Sequence, residues 1–321
     1  MKNKILASLE KSNDFVSGEE LSKSLGVSRT AVWKNIKALR EEGYIIESVT
    51  NRGYRLTGKP SLLDVERIRA SLDTNLVGTD IVVLRTVDST NEEVKRRARQ
   101  GSKSGLIVAA EEQTMGKGRI GREWSSSAGG LYFTIMLRPE LPPENISSIT
   151  LAAGYGVCLA VREYTGLDAK IKWPNDIIIG NKKLCGILTE MAAQADMIDY
   201  VAVGIGINVN IEAFPENIRE KATSLYLETG RKLDRNDFFI SVLRHLDIAA
   251  AAFLAGFTDA ENQEFRSLCA TIGRRVQTTK GNITIEGEAV DVCENGELLV
   301  RDDTGELHKV NSGEVLVQGI Y

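Results

Sequence analysis

One segment of the chain has the residue types and spacing to bind a polyphosphate. Between Gln113 and Trp124, three glycines alternate with three cations, Lys117, Arg119 and Arg122. Glycines leave a backbone free to wrap around an anion, so the loop suits a polyphosphate or an adenylate that orders it on binding. The spacing excludes a Walker A loop and, because no βαβ unit follows, a dinucleotide fingerprint. A solvated basic hairpin is the competing interpretation.

A second pair of cations flanks a Trp-Pro-Asn-Asp sequence. Lys172 comes just before it, Asp176 ends it, and Lys183 follows on what is predicted to be the returning strand of a hairpin. Antiparallel pairing is expected to bring Lys172 and Lys183 towards one spot, where two ammonium groups can stabilise charge on phosphoryl oxygens. Asp176 could orient a lysine or help to hold Mg²⁺, and Gly186 would admit a ligand close to the strand. A charged hairpin rim is the alternative.

Two further segments place polar groups next to strands. At Ser89 and Thr90 a predicted strand gives way to a helix, whose N-terminal amides and hydroxyls can bind an anion or a polar ligand head, although an ordinary N-cap is an equal alternative. Gly204 and Gly206 lie on one face of a later strand, where glycine usually marks a close neighbour. Asn208, on the same strand, could contact a base edge or a ribose.

Alternating strands and helices are predicted to position these segments, so the central part of the chain is expected to be mixed α/β. The predicted strands are 81–84, 106–110, 131–137, 177–179, 184–191 and 200–210, and the predicted helices are 92–100, 149–164 and 235–257.

The first sixty residues predict a winged helix-turn-helix. Val32, Ile36 and Leu39 form the core stripe of a second helix that begins after an N-cap at Ser28. A hairpin with a turn at 51–53 would form the wing. The residues expected to contact DNA are Ser28, Arg29, Thr30, Trp33, Lys34, Lys37 and, at the tip of the wing, Arg52. A protein-interaction module with solvated cations is the alternative.

The distribution of charge supports the DNA-binding interpretation. Residues 1–60 contain 11 Lys and Arg against 7 Asp and Glu, a net charge of +4. The whole chain has a net charge of −4, so the remaining 261 residues carry −8. A small basic unit joined to a larger acidic body indicates two activities, of which the basic unit would serve nucleic acid.

The last fifty residues predict a small β-barrel of SH3-like type. Short alternating segments at 275–278, 283–292, 297–300 and 313–317 are separated by Asn-Gly and Thr-Gly turns. With a linker predicted at 58–60, the expected domains are 1–60, 61–270 and 271–321.

Composition excludes several other classes of protein. We find no apolar run of 18 residues, so a transmembrane helix is not expected, and the N-terminus does not resemble a signal peptide. The four cysteines are widely spaced in apolar contexts, which is typical of reduced thiols in a cytoplasmic protein. Two histidines are too few for a His-rich metal centre and give poor support to a Ser-His-Asp triad.

Taken together, these segments resemble one family over essentially the whole chain: the bifunctional biotin–protein ligases that also repress the biotin operon. The resemblance implies an α+β multidomain protein with a winged helix-turn-helix, a central ligase domain similar to class II synthetases and an SH3-like C-terminal barrel. Two departures stand out. Lys117 occupies a position where the family usually has Arg, and these residues are not equivalent at a phosphate. A Trp that some members stack on adenine has no counterpart between Ala222 and Leu227.

The resemblance also implies a two-step reaction: biotin and ATP form biotinyl-5′-adenylate, and a lysine of a biotin carboxyl carrier protein then accepts the biotin. A homodimer favoured by the adenylate would bind operator DNA. The implied substrates and ion are ATP, biotin and Mg²⁺. The implied catalytic residues are Lys183, Arg119, Lys172 and Asp176. The implied biotin-binding residues are Ser89, Thr90, Asn91, Gln113, Gly116, Lys117, Gly118, Arg119, Lys183 and Gly186. The implied adenylate-binding residues are Lys117, Arg119, Arg122, Trp124, Asn175 and Asn208.

Two other functions are compatible with parts of the sequence. One is a repressor whose inactive ligase body only senses a small molecule, and the intact cationic loop and both hairpin lysines argue against it. The other is a lipoate–protein ligase, which shares the catalytic fold. The winged helix and the Lys-Trp-Pro-Asn-Asp sequence favour biotin.

Overall fold

The computed structural model describes residues 1–12, 14–41, 44–50, 52–58, 62–143, 146–194, 197–280, 283–293, 295–311 and 315–321. The chain separates into two compact units, Met1–Leu62 and Leu63–Tyr321. Most of the predicted linker at 58–60 and the first residue of the predicted wing turn lie outside the described residues.

The N-terminal unit is a three-helix core with a β-hairpin. Its elements are α1 (Lys2–Lys11), α2 (Gly18–Leu25), α3 (Arg29–Glu41), β1 (Ile45–Val49) and β2 (Gly53–Gly58). The Ser28 hydroxyl accepts a hydrogen bond from the amide of Ala31 at 3.2 Å, which caps α3 as expected. Val32, Ile36 and Leu39 are buried in the core of the unit. The predicted helix-turn-helix and hairpin are therefore confirmed.

The larger unit is built on a seven-stranded mixed sheet with the strand order β3-β4-β5-β9-β8-β7-β6. Only β3 and β4 pair in parallel; the other neighbours are antiparallel. The strands are β3 (Asp80–Val87), β4 (Leu106–Gln113), β5 (Leu131–Leu137), β6 (Ala169–Lys172), β7 (Asp176–Ile179), β8 (Lys182–Gln194) and β9 (Met197–Ile207).

Helices pack against this sheet and enclose its core. They are α4 (Val65–Ser71), α5 (Thr90–Arg99), α6 (Ile146–Thr165), α7 (Leu225–Thr229), α8 (Arg235–Ala255) and α9 (Asp259–Leu268). All three predicted helices are present as α5, α6 and α8. The sequence analysis did not predict α4, α7 or α9, which are short.

One of these helices, α8, is long and apolar enough to cross a membrane by length and composition alone. Its inward face packs into the core of the unit, where Phe238, Phe239 and Leu243 are fully buried. A mostly apolar helix is the normal composition for a core position. The helix therefore belongs to the core of the unit.

The C-terminal strands form a five-stranded antiparallel sheet with the order β13-β12-β11-β10-β14. They are β10 (Arg275–Lys280), β11 (Ile283–Val292), β12 (Leu298–Asp302), β13 (Leu307–Val310) and β14 (Val315–Val317). The predicted segment at 313–317 begins outside the described residues, and β13 was not predicted. The α+β fold class, with a helix-turn-helix, a ligase-type sheet and a C-terminal β-domain, is confirmed.

The cysteines agree with the expectation of reduced, inert thiols. All four are free, and Cys158, Cys185 and Cys269 are buried. Burial raises the pKa of the Cys158 thiol to about 12, because the charged thiolate would lie in an apolar core. The three buried thiols are therefore unreactive at neutral pH.

Candidate functional site

A cavity of about 490 Å³ lies on the sheet of the larger unit and collects residues from all four segments that the sequence analysis selected. Of the predicted site residues, those that line it are Ser89, Thr90, Asn91, Gln113, Lys117, Gly118, Arg119, Arg122, Trp124, Lys172, Asn175, Asp176, Lys183, Gly186 and Asn208. Gly116 is not among the lining residues. The topology explains the convergence, because β4, β6, β7, β8, β9 and the start of α5 all contribute to this part of the sheet.

A polar pocket forms where β3 ends and α5 begins. The Thr90 amide and hydroxyl donate to Oε1 of Gln113 at 2.8 and 3.1 Å. Nε2 of Gln113 donates to the hydroxyl of Ser126 at 2.8 Å, which fixes the orientation of its amide. Ser89 is the N-cap of α5 but makes no side-chain capping bond. Its hydroxyl is thus placed to receive a polar ligand head at the start of the helix.

Asn91 supports this pocket from inside the wall. Its Oδ1 accepts from the hydroxyl of Thr134 at 2.6 Å, and its Nδ2 donates to Glu190 at 2.8 Å. A Cβ atom at Gly204 would lie 2.0 Å from Asn91 Oδ1, so the strand must have glycine there. Both ends of the Asn91 amide are engaged within the protein, and the side chain is 3% exposed.

The cationic loop folds as a short hairpin at the mouth of the cavity. The Trp124 amide donates to the carbonyl of Gly116 at 2.9 Å, and the Gly118 amide donates to the carbonyl of Arg122 at 2.7 Å. A Cβ atom on Gly116 would lie 2.3 Å from the Trp124 carbonyl, so Gly116 closes the hairpin. At its tip, Ile120 has a φ of +56° and is 71% exposed. Such strain is typical of a segment shaped for a partner.

Two contacts attach this loop to the rest of the site. Lys117 Nζ lies 2.7 Å from Oε1 of Glu92 on α5, and Arg119 Nη1 donates to Oδ1 of Asn175 at 3.0 Å. Hydrogen bonds from Lys117 and Lys95 lower the pKa of the Glu92 carboxyl. Lys117, which stands where the family usually has Arg, is thus held by an ion pair with α5. Arg119 points along the cavity towards the β6–β7 turn.

The two lysines and the aspartate meet, but not on a single hairpin as predicted. Lys172 ends β6 and is paired with Asp176 on β7, whereas Lys183 is on β8. Lys183 Nζ lies 2.6 Å from Asp176 Oδ1. Because β7 separates β6 from β8, the two lysines lie on strands to either side of Asp176: Lys183 contacts its carboxylate, and Lys172 is its backbone partner in register. Both lysines line the same cavity, as predicted, but they belong to two successive hairpins and not to one.

A Trp side chain occupies the surface that the glycines leave open. Gly186 and Gly206 are paired across β8 and β9, and a Cβ atom on either would lie within 2.9 Å of the Trp124 ring. The ring centroid lies 5.4 Å from Lys183 Nζ. The close neighbour that Gly206 was expected to mark is therefore the Trp124 indole, and the same ring lies beside Gly186, where the sequence analysis expected a ligand.

The two asparagines assigned to adenylate shape the cavity wall. Asn175 Nδ2 donates to the carbonyl of Ile187 at 2.8 Å, which leaves its Oδ1 for Arg119. Asn208 is 5% exposed and its Nδ2 donates to the carbonyl of Thr223 at 3.0 Å. Asn208 thereby fixes the segment that begins α7.

The sequence analysis assigned no role to four aromatic residues that line the cavity, Tyr132, Trp173, Phe214 and Tyr321. Trp173 is 1% exposed, and its Nε1 donates to the carbonyl of Gly296 at 3.0 Å, which joins the lysine-bearing strands to the barrel. Tyr321 donates its hydroxyl proton to Oδ2 of Asp176. Phe214 lines the cavity but lies outside the segment between Ala222 and Leu227 where no Trp was found. The contacts of Trp173 and Tyr321 join distant parts of the chain, so the local sequence could not indicate them. Phe214 could be recognised from the sequence only as an aromatic residue.

The residues selected for DNA contact form an exposed face on the N-terminal unit. Ser28, Arg29, Thr30, Trp33, Lys34 and Lys37 are all exposed. Arg29 pairs with Glu19 at 2.5 Å and Arg52 pairs with Asp14 at 3.1 Å, both at the surface. Surface ion pairs of this kind contribute little stability, so phosphate could compete for both guanidinium groups.

The site does not provide an evident cage for a metal ion. Asp176 is the carboxylate predicted to help hold Mg²⁺, and its two oxygens face Lys183 and Tyr321. Magnesium prefers open octahedral coordination by oxygen, which this carboxylate does not offer. We therefore derive no catalytic step through a metal bound to the protein.

Known family models match the N-terminal, central and C-terminal parts of the chain. The HTH domain matches residues 2–55, the Biotin/lipoate A/B protein ligase family matches residues 83–208, and the Biotin protein ligase C terminal domain matches residues 271–317.

Individual proteins are similar over nearly the whole length. The Bifunctional ligase/repressor BirA of Bacillus subtilis is 37% identical over 307 residues, which cover 94% of each chain. The Escherichia coli protein of the same name is 31% identical, covering 93% of this chain and 92% of its own. Among solved structures, the biotin protein ligase from Aquifex aeolicus in complex with biotin and ATP is similar with a TM-score of 0.65 and 32% identity, covering 75% of this chain and 99% of that one.

Proposed function

Because this chain belongs to the family of bifunctional biotin–protein ligases and repressors, we propose that it attaches biotin to a carrier protein at the expense of ATP and also binds operator DNA. The observation that supports the ligase activity best is the grouping of Lys172, Asp176 and Lys183 in one cavity with the polar pocket around Gln113. This grouping combines a site for a polar ligand head with cations for a phosphate.

In the first step, a biotin carboxylate oxygen attacks the α-phosphorus of ATP. A new oxygen–phosphorus bond forms, the bond to the β-phosphate bridge breaks, and pyrophosphate leaves with the electron pair. Negative charge grows on the phosphoryl oxygens in the transition state, and cations already in place stabilise it without reorganising. In this chain Lys183, Lys172 and Arg119 supply those cations. Lys183 exchanges its bond to Asp176 for one to the reacting oxygens.

In the second step, the ε-amine of a carrier lysine attacks the carbonyl carbon of the mixed anhydride. The amide bond forms, AMP leaves as the stable product, and the amine loses a proton. This chemistry needs no nucleophile from the enzyme, and none of the described residues that line the cavity is a cysteine. A closed loop that excludes water protects the anhydride until the carrier arrives.

The binding roles that we propose are supported by the family resemblance and by position in or beside the cavity. We assign the biotin head to Ser89, Thr90 and Gln113, with Asn91 behind them. The loop from Gly116 to Arg119, together with Lys183 and Gly186, covers the rest of biotin. Arg122, Trp124, Asn175 and Asn208 serve the adenylate. Mg²⁺ would accompany the phosphates of ATP as that ion usually does, instead of being held by Asp176.

Repression would depend on a dimer. A single winged helix contacts few bases, so we propose that biotinyl-5′-adenylate favours a homodimer that binds a two-fold operator. The protein partner would be the biotin carboxyl carrier protein of acetyl-CoA carboxylase or a related carboxylase. We place these activities in the cytoplasm, without a membrane, where carrier proteins, ATP and operator DNA are all available.

Transfer of labelled biotin to a carrier domain tests the proposed ligase activity. The chain, ATP and Mg²⁺ should label the carrier lysine with biotin, and labelled lipoate should give no product. Labelling by lipoate alone would make the chain a lipoate ligase. Operator binding that responds to biotin without any transfer would make it an inactive ligase that serves as a sensor.

A further inference from the structure

We propose that Tyr321 is a positioning residue for adenylation, acting through Asp176 on Lys183. The proposal rests on the proposed function of the cavity, and it gives the C-terminal barrel a direct part in the reaction. The Tyr321 hydroxyl donates to Oδ2 of Asp176, and Oδ1 of the same carboxylate lies 2.6 Å from Lys183 Nζ. One carboxylate thus connects the barrel to the lysine assigned to the reacting oxygens.

The fold delivers Tyr321 to this position through two fixed points. After β14, Gly319 turns the chain with a φ of +79°, and Ile320 is buried in the barrel core with 4% exposure. The Tyr321 amide then donates to the carbonyl of Asn181, at the turn between β7 and β8, at 3.3 Å. Because Ile320 is buried in the barrel and the Tyr321 amide is bonded to the turn between β7 and β8, the direction of the Tyr321 side chain is restricted.

The aromatic ring makes a second contact with the catalytic cations. Lys172 Nζ lies 4.2 Å from the centroid of the Tyr321 ring, within the range of a cation–π interaction. Lys172 and Asp176 are 9% and 8% exposed. The residue therefore contacts one lysine through its ring and reaches the other through a carboxylate.

This arrangement has a specific consequence for catalysis. Without the Tyr321 donor, this buried carboxylate would be free to rotate, and Lys183 would lose a partner with a fixed orientation. With the Tyr321 hydroxyl on Oδ2, only Oδ1 faces Lys183. The lysine can then move from the carboxylate to the reacting oxygens along a short path, which favours the transition state.

The test is Tyr321→Phe in the full chain, which removes the hydroxyl and keeps the ring beside Lys172. We expect the single-turnover rate of biotinyl-5′-adenylate formation to fall about tenfold, as for the loss of a hydrogen bond to a charged group. Biotin affinity should stay within about twofold, because the polar head pocket is unchanged. Tyr164→Phe, which alters a tyrosine outside the cavity, should match the wild-type chain.

A double-mutant cycle separates positioning from a general structural role. If Tyr321 acts through Asp176, the variant with both Tyr321→Phe and Asp176→Asn should be no slower than Asp176→Asn alone. The proposal would be overturned if the rate losses of the two single variants multiplied in the double variant. It would also be overturned if Tyr321→Phe reacted at the wild-type rate. A rate loss accompanied by a melting temperature lowered by several degrees would also overturn it, since the residue would then be structural. If the wild-type chain forms no adenylate at all, the proposed function fails instead.

Discussion

At the scale of single residues, two of the cavity's cations are already paired with carboxylates before any substrate enters. Lys183 is held by Asp176 and Lys117 by Glu92, each at less than 3 Å. A substrate phosphate must therefore compete with carboxylates already in place, and binding exchanges one set of ion pairs for another. Such exchange lets cations be preorganised without leaving buried charge uncompensated.

Lys183→Ala is expected to abolish adenylation without unfolding the chain. The substitution removes a cation aimed at the developing charge, which typically lowers the rate by ~10²–10³. Single-turnover formation of adenylate measures the loss. Lys182→Ala, one residue earlier on β8, is the matched control and should keep the wild-type rate. Near-normal adenylate formation by Lys183→Ala would refute the assigned role.

Arg119→Gly should leave biotin binding in place but release the adenylate. Arg119 donates to Asn175, so the substitution removes one of the contacts that attach the loop to the rest of the site. The escaping anhydride would then acylate exposed lysines of unrelated proteins as well as the carrier. Mass spectrometry of a mixture of the carrier and an unrelated protein measures how much biotin each has acquired. Arg119→Lys, which keeps the charge, should leak less, and strictly carrier-specific labelling by Arg119→Gly would show that the loop is not the gate.

At the scale of elements, the start of α5 shows how local structure supports the binding pocket. Asp88 precedes the N-cap and its carboxylate accepts two hydrogen bonds from Arg96, at 2.7 and 2.9 Å. The Ser89 amide donates to the same carboxylate at 2.8 Å. These bonds connect one end of the pocket to the last turns of the helix, so the first residues of α5 keep a fixed orientation.

The Arg96 contact gives a prediction about acid stability. Hydrogen bonding by Arg96 lowers the pKa of Asp88 from 3.8 to about 2. Because the folded-state pKa is below that of the unfolded chain, the stabilisation is complete above about pH 4 and is lost as the pH falls towards 2. Asp88→Asn should therefore flatten the decline of stability in this window, by less than about 1 kcal/mol since the pair is partly exposed. Urea unfolding from pH 2 to 5 measures this. An unchanged decline would contradict it.

The elements also show what the sequence can and cannot predict. The long strands and α5, α6 and α8 were predicted because apolar periodicity is set by the local chain. The seven-residue helix α4 carries too few turns for a periodic pattern, whereas α9 is as long as α5, and its Thr258–Glu261 capping box is a signal that the sequence analysis missed. The cavity's lysines were found from their residue types and spacing, and Gln113 from the family resemblance. Tyr321 and Trp173 were not, since nothing near residue 321 or 173 indicates a contact with Asp176 or Gly296.

At the scale of the whole molecule, the chain combines a DNA-binding unit with a unit that would make the regulatory ligand. The first unit carries an exposed face of cations on α3, and the second carries the cavity. If adenylate favours the dimer, then dimerisation must tighten adenylate binding by the same factor, because coupling between two binding events is reciprocal.

Operator binding should therefore be steep in protein concentration, stronger with biotin and ATP, and weaker at higher salt through the loss of counterion release. Sedimentation with and without biotin and ATP measures dimerisation. Titrations of a palindromic operator under the same conditions measure DNA binding. Lys183→Ala, which should make no adenylate, serves as the control and should respond weakly to biotin and ATP. A chain that stays monomeric with adenylate, or binds the operator equally well without it, would contradict the coupling.

The central claim, that this cavity joins biotin to AMP, is tested most directly by exchange of labelled pyrophosphate into ATP without any carrier protein. Exchange requires that biotin and ATP react reversibly on the chain, so it isolates the first step. We predict exchange that depends on biotin, is absent with lipoate and is lost in Lys183→Ala. Absence of biotin-dependent exchange in the folded wild-type chain, or equal exchange with lipoate, would contradict the claim.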